Sequence, residues 1–283
     1  MNPRTLISAG ELAGLLGRPD VLVVDCRFEL ADPQAGRRGY ASGHIPGAVY
    51  ADLDEDLSDL SKSGLGRHPL PDAAHFSKVL GRLGWTPGMY VVAYDTANGM
   101  LAAARLWWMM RVIGHPDAAV LDGGLQAWRS AGFALATDMP QRTATNVRVD
   151  YDARQVVYTD ELQEELAAHA VLLDARNAPR FRGEVEPIDP VAGHVPGARN
   201  RPLADNLGAD GTFKSAAALR AEFDALLAGR AARETLHMCG SGVTACHNLL
   251  AMEHAGLAGS RVYAPSWSGW IADATRPVAR GEK

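Results

Sequence analysis

The segment of this chain most able to do chemistry is a cysteine followed by a short glycine-containing stretch, CGSGVTA, which begins at Cys239. The stretch Thr235–Met238 precedes it and a helix-like stretch follows it, which predicts a strand, a tight loop and a helix N-terminus. Such a loop directs backbone N–H groups and the positive end of a helix dipole at the sulfur. A thiol in that setting ionises more readily, so the sequence predicts a thiolate nucleophile at Cys239.

The chain has two further cysteines, Cys26 and Cys246. The number and spacing of its cysteines indicate the cellular compartment and whether a metal is bound. Three scattered cysteines cannot form a disulfide framework and are typical of a reducing compartment, so we expect the cytoplasm. No Cys pair or Cys/His group has the spacing of metal ligands. No glycine-rich nucleotide-binding motif is present either. We therefore expect neither a metal nor an organic cofactor.

The composition is that of a globular protein and excludes several kinds of partner. Of the 283 residues, 47% are hydrophobic and 22% are charged, which suits about two domains with a sizeable core. The net charge of -5 and the lack of a long Lys/Arg run argue against a nucleic-acid partner. No apolar run approaches the roughly 18 residues of a membrane span, so we expect no membrane partner.

The chain contains two copies of one sequence pattern. In the first copy, a strand-like run that includes Asp25 is followed by the segment GHIPGA, whose histidine is His44, 19 residues after the aspartate. In the second copy, a run that includes Asp174 is followed by GHVPGA, whose histidine is His194, 20 residues after the aspartate. A repeat of this length is too long for a solenoid and indicates two copies of one domain.

We predict one domain over residues 1–138, a second over residues 150–283 and a linker over residues 139–149. Within each copy, apolar strand-like runs alternate with helix-like stretches, which predicts an α/β fold with a mostly parallel sheet. Functional sites in such sheets lie at the carboxyl ends of the strands, which is where Cys239 falls. The first copy has Asp95 at the matching position, so we expect that copy to be structural.

Taken together, these features resemble the two-domain rhodanese-type sulfurtransferases. The tandem copies, the paired GHxPGA segments and a thiol loop in the second copy alone carry the resemblance, which covers nearly the whole chain. The spelling CGSGVTA is similar to the mercaptopyruvate sulfurtransferase branch, because the thiosulfate branch has basic residues where Gly240 and Ser241 stand here. The resemblance implies an α/β fold of two tandem rhodanese-like domains, each a mostly parallel sheet flanked by helices.

The activity that the resemblance implies is transfer of a sulfur atom from 3-mercaptopyruvate through a persulfide on Cys239. Thiosulfate is the alternative sulfur donor. The acceptor would be cyanide or a thiol, such as that of thioredoxin, because a persulfide needs a thiol to release its sulfur. We expect a monomer, since two fused copies already form a pseudo-dimer.

Individual site residues are also implied by the resemblance. Ser241 would contact the sulfur of the donor, with His44 and Asp32 completing a Ser-His-Asp arrangement. Arg180 matches the family's substrate-binding arginine, and a guanidinium fork suits a carboxylate. The remaining substrate-binding positions lie on the loop itself: Gly240, Gly242, Val243 and Thr244.

One position departs from the family's pattern. The resemblance implies a second substrate-binding arginine farther along the Arg180 segment, where Asp189 stands. The candidates to replace it are Arg182, Arg199 and Arg201. Arg180 also has a simpler interpretation, as an arginine paired with Glu184 or Glu186.

Two rival functions come from other classes of protein. Cysteine-dependent phosphatases hold phosphate in a related loop, but they need an arginine six positions after the cysteine, where Ala245 stands. A non-catalytic persulfide-sensing or scaffolding module would keep the same fold. The retained Cys239 loop favours an enzyme, whereas the departure at Asp189 leaves the non-catalytic alternative open.

Overall fold

The computed structural model describes residues 4–282, which divide into two compact units. Unit 1 contains the residues through Asp59 together with Leu70–Asp152 and Ala209–Thr212. Unit 2 contains Leu60–Pro69, Ala153–Gly208 and the residues from Phe213 onward. Each unit therefore includes a short segment that a division at one linker would assign to the other domain.

The strands of unit 1 are β1 (Leu6–Ile7), β2 (Val21–Asp25), β3 (Val49–Tyr50), β4 (Tyr90–Tyr94) and β5 (Ala118–Leu121). In the described part of this unit they form one parallel sheet in the order β1-β5-β4-β2-β3. The helices are α1 (Ala9–Ala13), α2 (Ala35–Ser42), α3 (Ala73–Arg82), α4 (Ala102–Val112) and α5 (Gly124–Ser130). Helix α1 begins at a capping box between Ser8 and Glu11, which pairs two backbone N–H groups at the start of the helix.

Unit 2 repeats this arrangement with β6 (Val156–Val157), β7 (Val171–Asp174), β8 (Arg199–Asn200), β9 (Thr235–Met238) and β10 (Arg261–Tyr263). Its sheet is also parallel over the described strands, in the order β6-β10-β9-β7-β8. The helices are α6 (Thr159–Ala167), α7 (Ala178–Phe181), α8 (Ala216–Leu227), α9 (Ala245–His254) and α10 (Ser266–Trp270). Between residues 4 and 282, no helix is both long and apolar enough to cross a membrane.

The central strands of both sheets are buried along their whole length. Every residue of β2, β4, β7 and β9 is buried. Helices cover both faces of a parallel sheet, so its inner strands are continuous apolar runs rather than alternating ones. The structure confirms the predicted α/β fold, and it places Cys239 directly after β9 and Asp95 directly after β4.

A buried ion pair supports the GHxPGA turn in each unit. In unit 1, Nη2 of Arg27 lies 2.6 Å from Oδ2 of Asp25 and also donates to the carbonyl of Gly43 at 2.8 Å. In unit 2, Asp174 and Arg176 form the same pair at 2.7 Å, and the arginine donates to the glycine that opens GHVPGA at 2.8 Å. The recurring aspartates therefore stabilise the turn through an arginine two residues later.

Candidate active site

Cys239 lies at the carboxyl end of β9, in a loop that closes around its own sulfur atom. Its Sγ accepts hydrogen bonds from the backbone N–H groups of Gly242 at 3.2 Å and Ser241 at 3.5 Å. The residue is only 1% exposed, so these N–H dipoles act on the sulfur with little screening by water. Helix α9 begins directly after the loop, and its N-terminal dipole favours negative charge there. The loop therefore suits a thiolate or a persulfide anion.

Helix α10 holds this loop in place through three hydrogen bonds. The carbonyl of Cys239 accepts from the N–H of Trp267 at 3.0 Å, and the carbonyl of Gly240 accepts from the N–H of Ser268 at 2.9 Å. The N–H of Cys239 donates to Oγ of Ser266 at 3.1 Å. Because the carbonyls of Cys239 and Gly240 point towards α10, the N–H groups of Ser241 and Gly242 face the sulfur.

Gly242 is the position in the loop that only glycine fits. Its φ is +80°, and a Cβ placed on it would lie 2.2 Å from the carbonyl oxygen of Ala264. Its own carbonyl accepts from Sγ of Cys246 at 3.4 Å. A side chain at this position would force the backbone away from β10, and the N–H that faces Cys239 would move with it.

The other predicted loop residues have different surroundings. The carbonyls of Val243 and Thr244 accept from the N–H groups of Cys246 and His247, each at 3.2 Å, so these two residues lead into the first turn of α9. Gly240 faces two arginine side chains, described below. Donor binding by the backbone of these residues stays a prediction.

The matching loop of unit 1 is filled by its own carboxylate. Asp95 is fully buried after β4, and both of its oxygens accept hydrogen bonds from loop N–H groups. Burial raises the pKa of this carboxyl, although the same N–H groups oppose the shift. Unit 1 thus uses loop amides to hold a side-chain anion in place of a reactive thiolate, as expected for a structural copy. The donors are the N–H groups of Ala97, Gly99, Leu101 and Ala103.

A histidine that the sequence prediction missed stands beside the Cys239 loop. Nδ1 of His68 lies 2.8 Å from Oγ of Ser241, and both residues are buried. His68 belongs to Leu60–Pro69, the segment that precedes α3 in the chain but is part of unit 2. It lies outside the repeated motifs on which the sequence prediction depends, so only the tertiary structure reveals the Ser-His pair.

His44, the histidine predicted for this pair, is held inside unit 1. Its Nδ1 lies 2.8 Å from the carbonyl of Tyr40, its Nε2 lies 3.0 Å from the carbonyl of Asp138, and its ring stacks on Tyr40 at 4.2 Å. In unit 2, His194 repeats this arrangement, with Nδ1 2.8 Å from the carbonyl of Phe181 and its ring stacked on Phe181 at 3.8 Å. The GHxPGA histidine therefore has the same structural role in both copies.

For the other two predicted members of the Ser-His-Asp arrangement, His44 and Asp32, the structure shows partners other than Ser241. His68, rather than His44, is hydrogen-bonded to Ser241. Asp32 is half-exposed and forms an ion pair with Arg38, whose hydrogen bond lowers the pKa of the Asp32 carboxyl. The spacing of Asp32 from the GHIPGA motif suggested a triad member, but the carboxylate is occupied by a neighbouring arginine on its own surface.

Arg180 lies beside the nucleophile loop and is already paired. Its Nη2 donates to Glu186 at 2.7 Å and to Asp189 at 3.1 Å, and its Nε lies 3.1 Å from both oxygens of Glu186. Burial alone would raise the pKa of Glu186, but hydrogen bonds from Arg180 and from two backbone N–H groups hold it below its usual value. The same Nη2 lies 3.7 Å from the Cβ position of Gly240, so donor binding by Arg180 stays a proposal with a geometric basis.

A second arginine, which the sequence prediction also missed, faces Gly240. Nη1 of Arg67 lies 2.6 Å from Asp189, and its backbone N–H donates to Oγ of Ser268 at 2.9 Å. Nη2 of Arg67 lies 3.2 Å from the Cβ position of Gly240. The three arginines considered from the sequence contact other groups: Arg182 pairs with Glu184, Arg199 donates to the carbonyl of Leu226, and Arg201 pairs with Glu222.

Behind the loop, α9 carries a buried histidine whose titration affects stability. Nδ1 of His247 accepts from the side-chain amide of Asn206 at 3.1 Å, and its ring packs on Phe213 with 4.5 Å between ring centroids. Burial, assisted by the positive charge of Arg201, lowers the pKa of His247 from its ordinary value of 6.5 to about 3. The folded protein therefore keeps this ring neutral at pH values where an unfolded histidine takes up a proton.

We expect the free energy of unfolding to fall as the pH is lowered from 6.5 towards 3. In this range the unfolded chain binds a proton at His247 and the folded protein does not. One such group changes the free energy of unfolding by up to about 1.4 kcal/mol per pH unit. Above pH 6.5 the ring is neutral in both the folded and the unfolded state, so His247 no longer lowers the free energy of unfolding. Urea unfolding of wild type and His247→Asn, which keeps an acceptor for Asn206, measures it; equal slopes against pH in the two proteins would contradict the assignment.

Across residues 4–282, no three or more His, Cys, Asp or Glu side chains are grouped closely enough to hold a metal ion. The charged groups near Cys239 are instead arginine–carboxylate pairs, which suit recognition of an anion.

Comparison with known proteins covers both units. The Rhodanese-like domain family matches residues 8–131 and 158–273. A protein of Pseudomonas aeruginosa named probable 3-mercaptopyruvate sulfurtransferase is 48% identical over 285 residues, covering 100% of both chains. A Mycobacterium tuberculosis protein named for thiosulfate sulfurtransferase activity is 40% identical, with 98% of each chain covered. The structure of 3-mercaptopyruvate sulfurtransferase from Leishmania major matches with a TM-score of 0.83 and 33% identity, over 94% of this chain and 74% of that one.

Proposed function

This chain belongs to the rhodanese-like family, and from that membership we propose that it is a sulfurtransferase that moves a sulfur atom from 3-mercaptopyruvate to a thiol or to cyanide through a persulfide on Cys239. The family and the two-domain α/β fold predicted from the sequence are confirmed. The observation that carries the proposed mechanism is the pair of N–H groups, from Ser241 and Gly242, that face the sulfur of Cys239.

The first half-reaction forms one S–S bond and breaks one C–S bond. The Cys239 thiolate attacks the sulfur of 3-mercaptopyruvate, and the electron pair of the C–S bond moves to the methylene carbon to give the enolate of pyruvate. The thiol proton of the donor ends on that carbon, so the products are pyruvate and a persulfide anion. Covalent capture divides a difficult transfer into two easier steps.

The second half-reaction returns the thiolate. Cyanide attacks the outer sulfur of the persulfide, the S–S bond breaks, and its electron pair returns to Sγ of Cys239 as thiocyanate leaves. With thiols as acceptors, one thiol takes the outer sulfur and a second thiol releases it as sulfide while a disulfide forms. The N–H groups of the loop stabilise the anionic sulfur before and after each transfer.

Ser241 and His68 supply the proton handling in this scheme. Oγ of Ser241, 2.8 Å from Nδ1 of His68, takes the thiol proton of the donor and returns it to the enolate carbon. A positioned acid–base group of this kind contributes roughly 10²–10⁴-fold to a rate. The buried position of both residues keeps water from competing for the proton.

Thiosulfate is the second candidate donor, and the name of the relative with 40% identity favours it. The spelling of the loop favours 3-mercaptopyruvate, because Gly240 and Ser241 provide no cation for a dianion. The non-catalytic alternative receives no support from the relatives, which are named as enzymes. We therefore prefer an enzymatic function to the non-catalytic alternative.

The reaction needs a sulfur donor and a sulfur acceptor. As the physiological acceptor we propose a dithiol protein such as thioredoxin, since a second thiol in the same molecule releases the bound sulfur efficiently. A monomer in the cytoplasm suits this chemistry, and the free state of Cys26, Cys239 and Cys246 supports a reducing compartment.

The test is turnover with each donor in the presence of cyanide. We expect pyruvate and thiocyanate in equal amounts from 3-mercaptopyruvate, with a kcat/KM at least about tenfold above that for thiosulfate. A higher kcat/KM for thiosulfate would overturn the donor assignment. Thiocyanate formation no faster than in buffer with either donor would overturn sulfur transfer itself.

A further inference from the structure

Two guanidinium groups lie over the residue that follows the nucleophile. A Cβ placed on Gly240 would lie 3.2 Å from Nη2 of Arg67 and 3.7 Å from Nη2 of Arg180. Guanidinium forks bind carboxylates through parallel hydrogen bonds. Since Gly240 directly follows Cys239, an anion held by these two forks would lie next to the reacting sulfur.

Asp189 is the carboxylate between the two forks. Its Oδ1 accepts from Arg67 at 2.6 Å and its Oδ2 accepts from Arg180 at 3.1 Å, while its side chain is only 2% exposed. Because each oxygen is bound to a different arginine, Asp189 fixes the separation of the two forks. The position where an arginine was expected thus holds the counterion of an arginine from the Leu60–Pro69 segment.

Arg67 has hydrogen-bonding capacity left for a bound anion. Its side chain is 27% exposed, and its Nε is buried with no hydrogen-bond partner among the residues that the structure describes. Arg180 differs, because its Nε already contacts both oxygens of Glu186. Of the two guanidinium groups beside Gly240, Arg67 is therefore the more accessible to a ligand, since the side chain of Arg180 is only 13% exposed.

The charges around these forks balance. Three guanidinium groups pair with three carboxylates in this cluster: Arg67, Arg176 and Arg180 with Asp174, Glu186 and Asp189. In a charge-balanced cluster, a monoanionic carboxylate can still accept hydrogen bonds from a guanidinium group. A dianion needs excess positive charge to offset its larger desolvation cost, and a balanced cluster does not provide it.

We propose that Arg67 binds the carboxylate of the sulfur donor together with Arg180, and that Asp189 is a positioning residue whose charge makes the site select a monoanionic carboxylate over a dianion such as thiosulfate. This proposal rests on the proposed function. It adds a second guanidinium group that binds the donor, that of Arg67, and a residue that sets donor selectivity, Asp189.

Replacement of Arg67 tests the binding role. Arg67→Met is expected to raise KM for 3-mercaptopyruvate at least about tenfold and to change kcat less than about threefold, because it removes a ligand of the donor and leaves the nucleophile. Arg67→Lys should recover part of the loss, since it restores the charge without the fork. Arg182→Met is the matched control, with a side chain 28% exposed and paired with Glu184. An unchanged KM in Arg67→Met overturns the assignment.

Replacement of Asp189 tests the selectivity role. Asp189→Asn is expected to lower the ratio of kcat/KM for 3-mercaptopyruvate to that for thiosulfate by about tenfold, because it leaves one uncompensated positive charge beside Gly240. Glu184→Gln makes the same change in net charge on a side chain that is 54% exposed, and it should leave the ratio unchanged. A constant ratio in Asp189→Asn, or an equal shift in both variants, overturns the selectivity role.

Pyruvate binding separates this proposal from the proposed function, because it needs no turnover. Calorimetric titration of pyruvate into Cys239→Ser and into the double variant Cys239→Ser/Arg67→Met compares the two proteins without sulfur transfer. An affinity at least about tenfold weaker in the double variant supports the carboxylate role of Arg67. Equal affinity overturns it, whichever donor the enzyme uses.

Discussion

Replacement of Cys239 by serine is expected to lower turnover of 3-mercaptopyruvate with cyanide by at least about a thousandfold, as is usual when a catalytic nucleophile is lost. The two N–H groups that face Sγ at 3.2 and 3.5 Å can stabilise a thiolate, but a serine hydroxyl stays protonated in the same position. Thiocyanate formation measures turnover, and mass spectrometry of donor-treated protein measures persulfide as the added mass of one sulfur atom.

Cys246→Ser is the control for this variant. Cys246 is fully buried, lies seven residues farther along, and donates to the loop carbonyl of Gly242 at 3.4 Å, a bond that a serine hydroxyl can also make. We expect this variant to keep kcat within about threefold of wild type and still to gain the sulfur atom. Turnover by Cys239→Ser that stays within about a thousandfold of wild type would contradict the persulfide mechanism.

Gly242→Ala is expected to lower both stability and turnover. With φ at +80° and a Cβ position 2.2 Å from the carbonyl of Ala264, the loop must shift to accept even a methyl group. We expect a loss of about 2–4 kcal/mol in the free energy of unfolding, from backbone strain and the steric conflict. We also expect kcat to fall at least about tenfold, because the N–H of Gly242 moves away from the sulfur of Cys239.

Gly256→Ala separates backbone strain from damage to the loop. Gly256 follows α9 with a similar φ of +75°, and a Cβ placed there meets nothing within 4 Å. Its replacement should cost only about 1 kcal/mol and leave kcat unchanged. If urea unfolding and steady-state kinetics found the two variants alike, the amide of Gly242 would not be needed for catalysis.

The strands, the helices and the nucleophile loop could be predicted because their causes are local. The stretch before Cys239 matches β9, and the strand-like run that includes Asp25 matches β2. Backbone hydrogen bonding and burial act over a few residues, so they leave a periodic pattern in the chain. The repeat extended this to both units, and Asp95 follows β4 as Cys239 follows β9.

The same repeat is the basis for choosing His44, and the structure gives this histidine partners within the fold. GHxPGA recurs in both copies because it forms one turn of the fold, and His44 and His194 both stack on an aromatic ring and contact backbone carbonyls. A motif that appears in a copy without the thiol reports on the fold rather than on the reaction. Asp32, chosen by its distance along the chain, pairs with Arg38 on the protein surface.

By itself, then, the sequence determined the two-domain α/β fold and singled out Cys239 as the candidate nucleophile, because both follow from local patterns and their repetition. Only the tertiary structure decided which polar side chains meet at the site. His68 and Ser241 are 173 positions apart, and Arg67 and Asp189 are 122 apart. Hydrogen bonds and ion pairs depend on distance in space, and the packing of residues 60–69 within unit 2 leaves no periodic pattern in the chain.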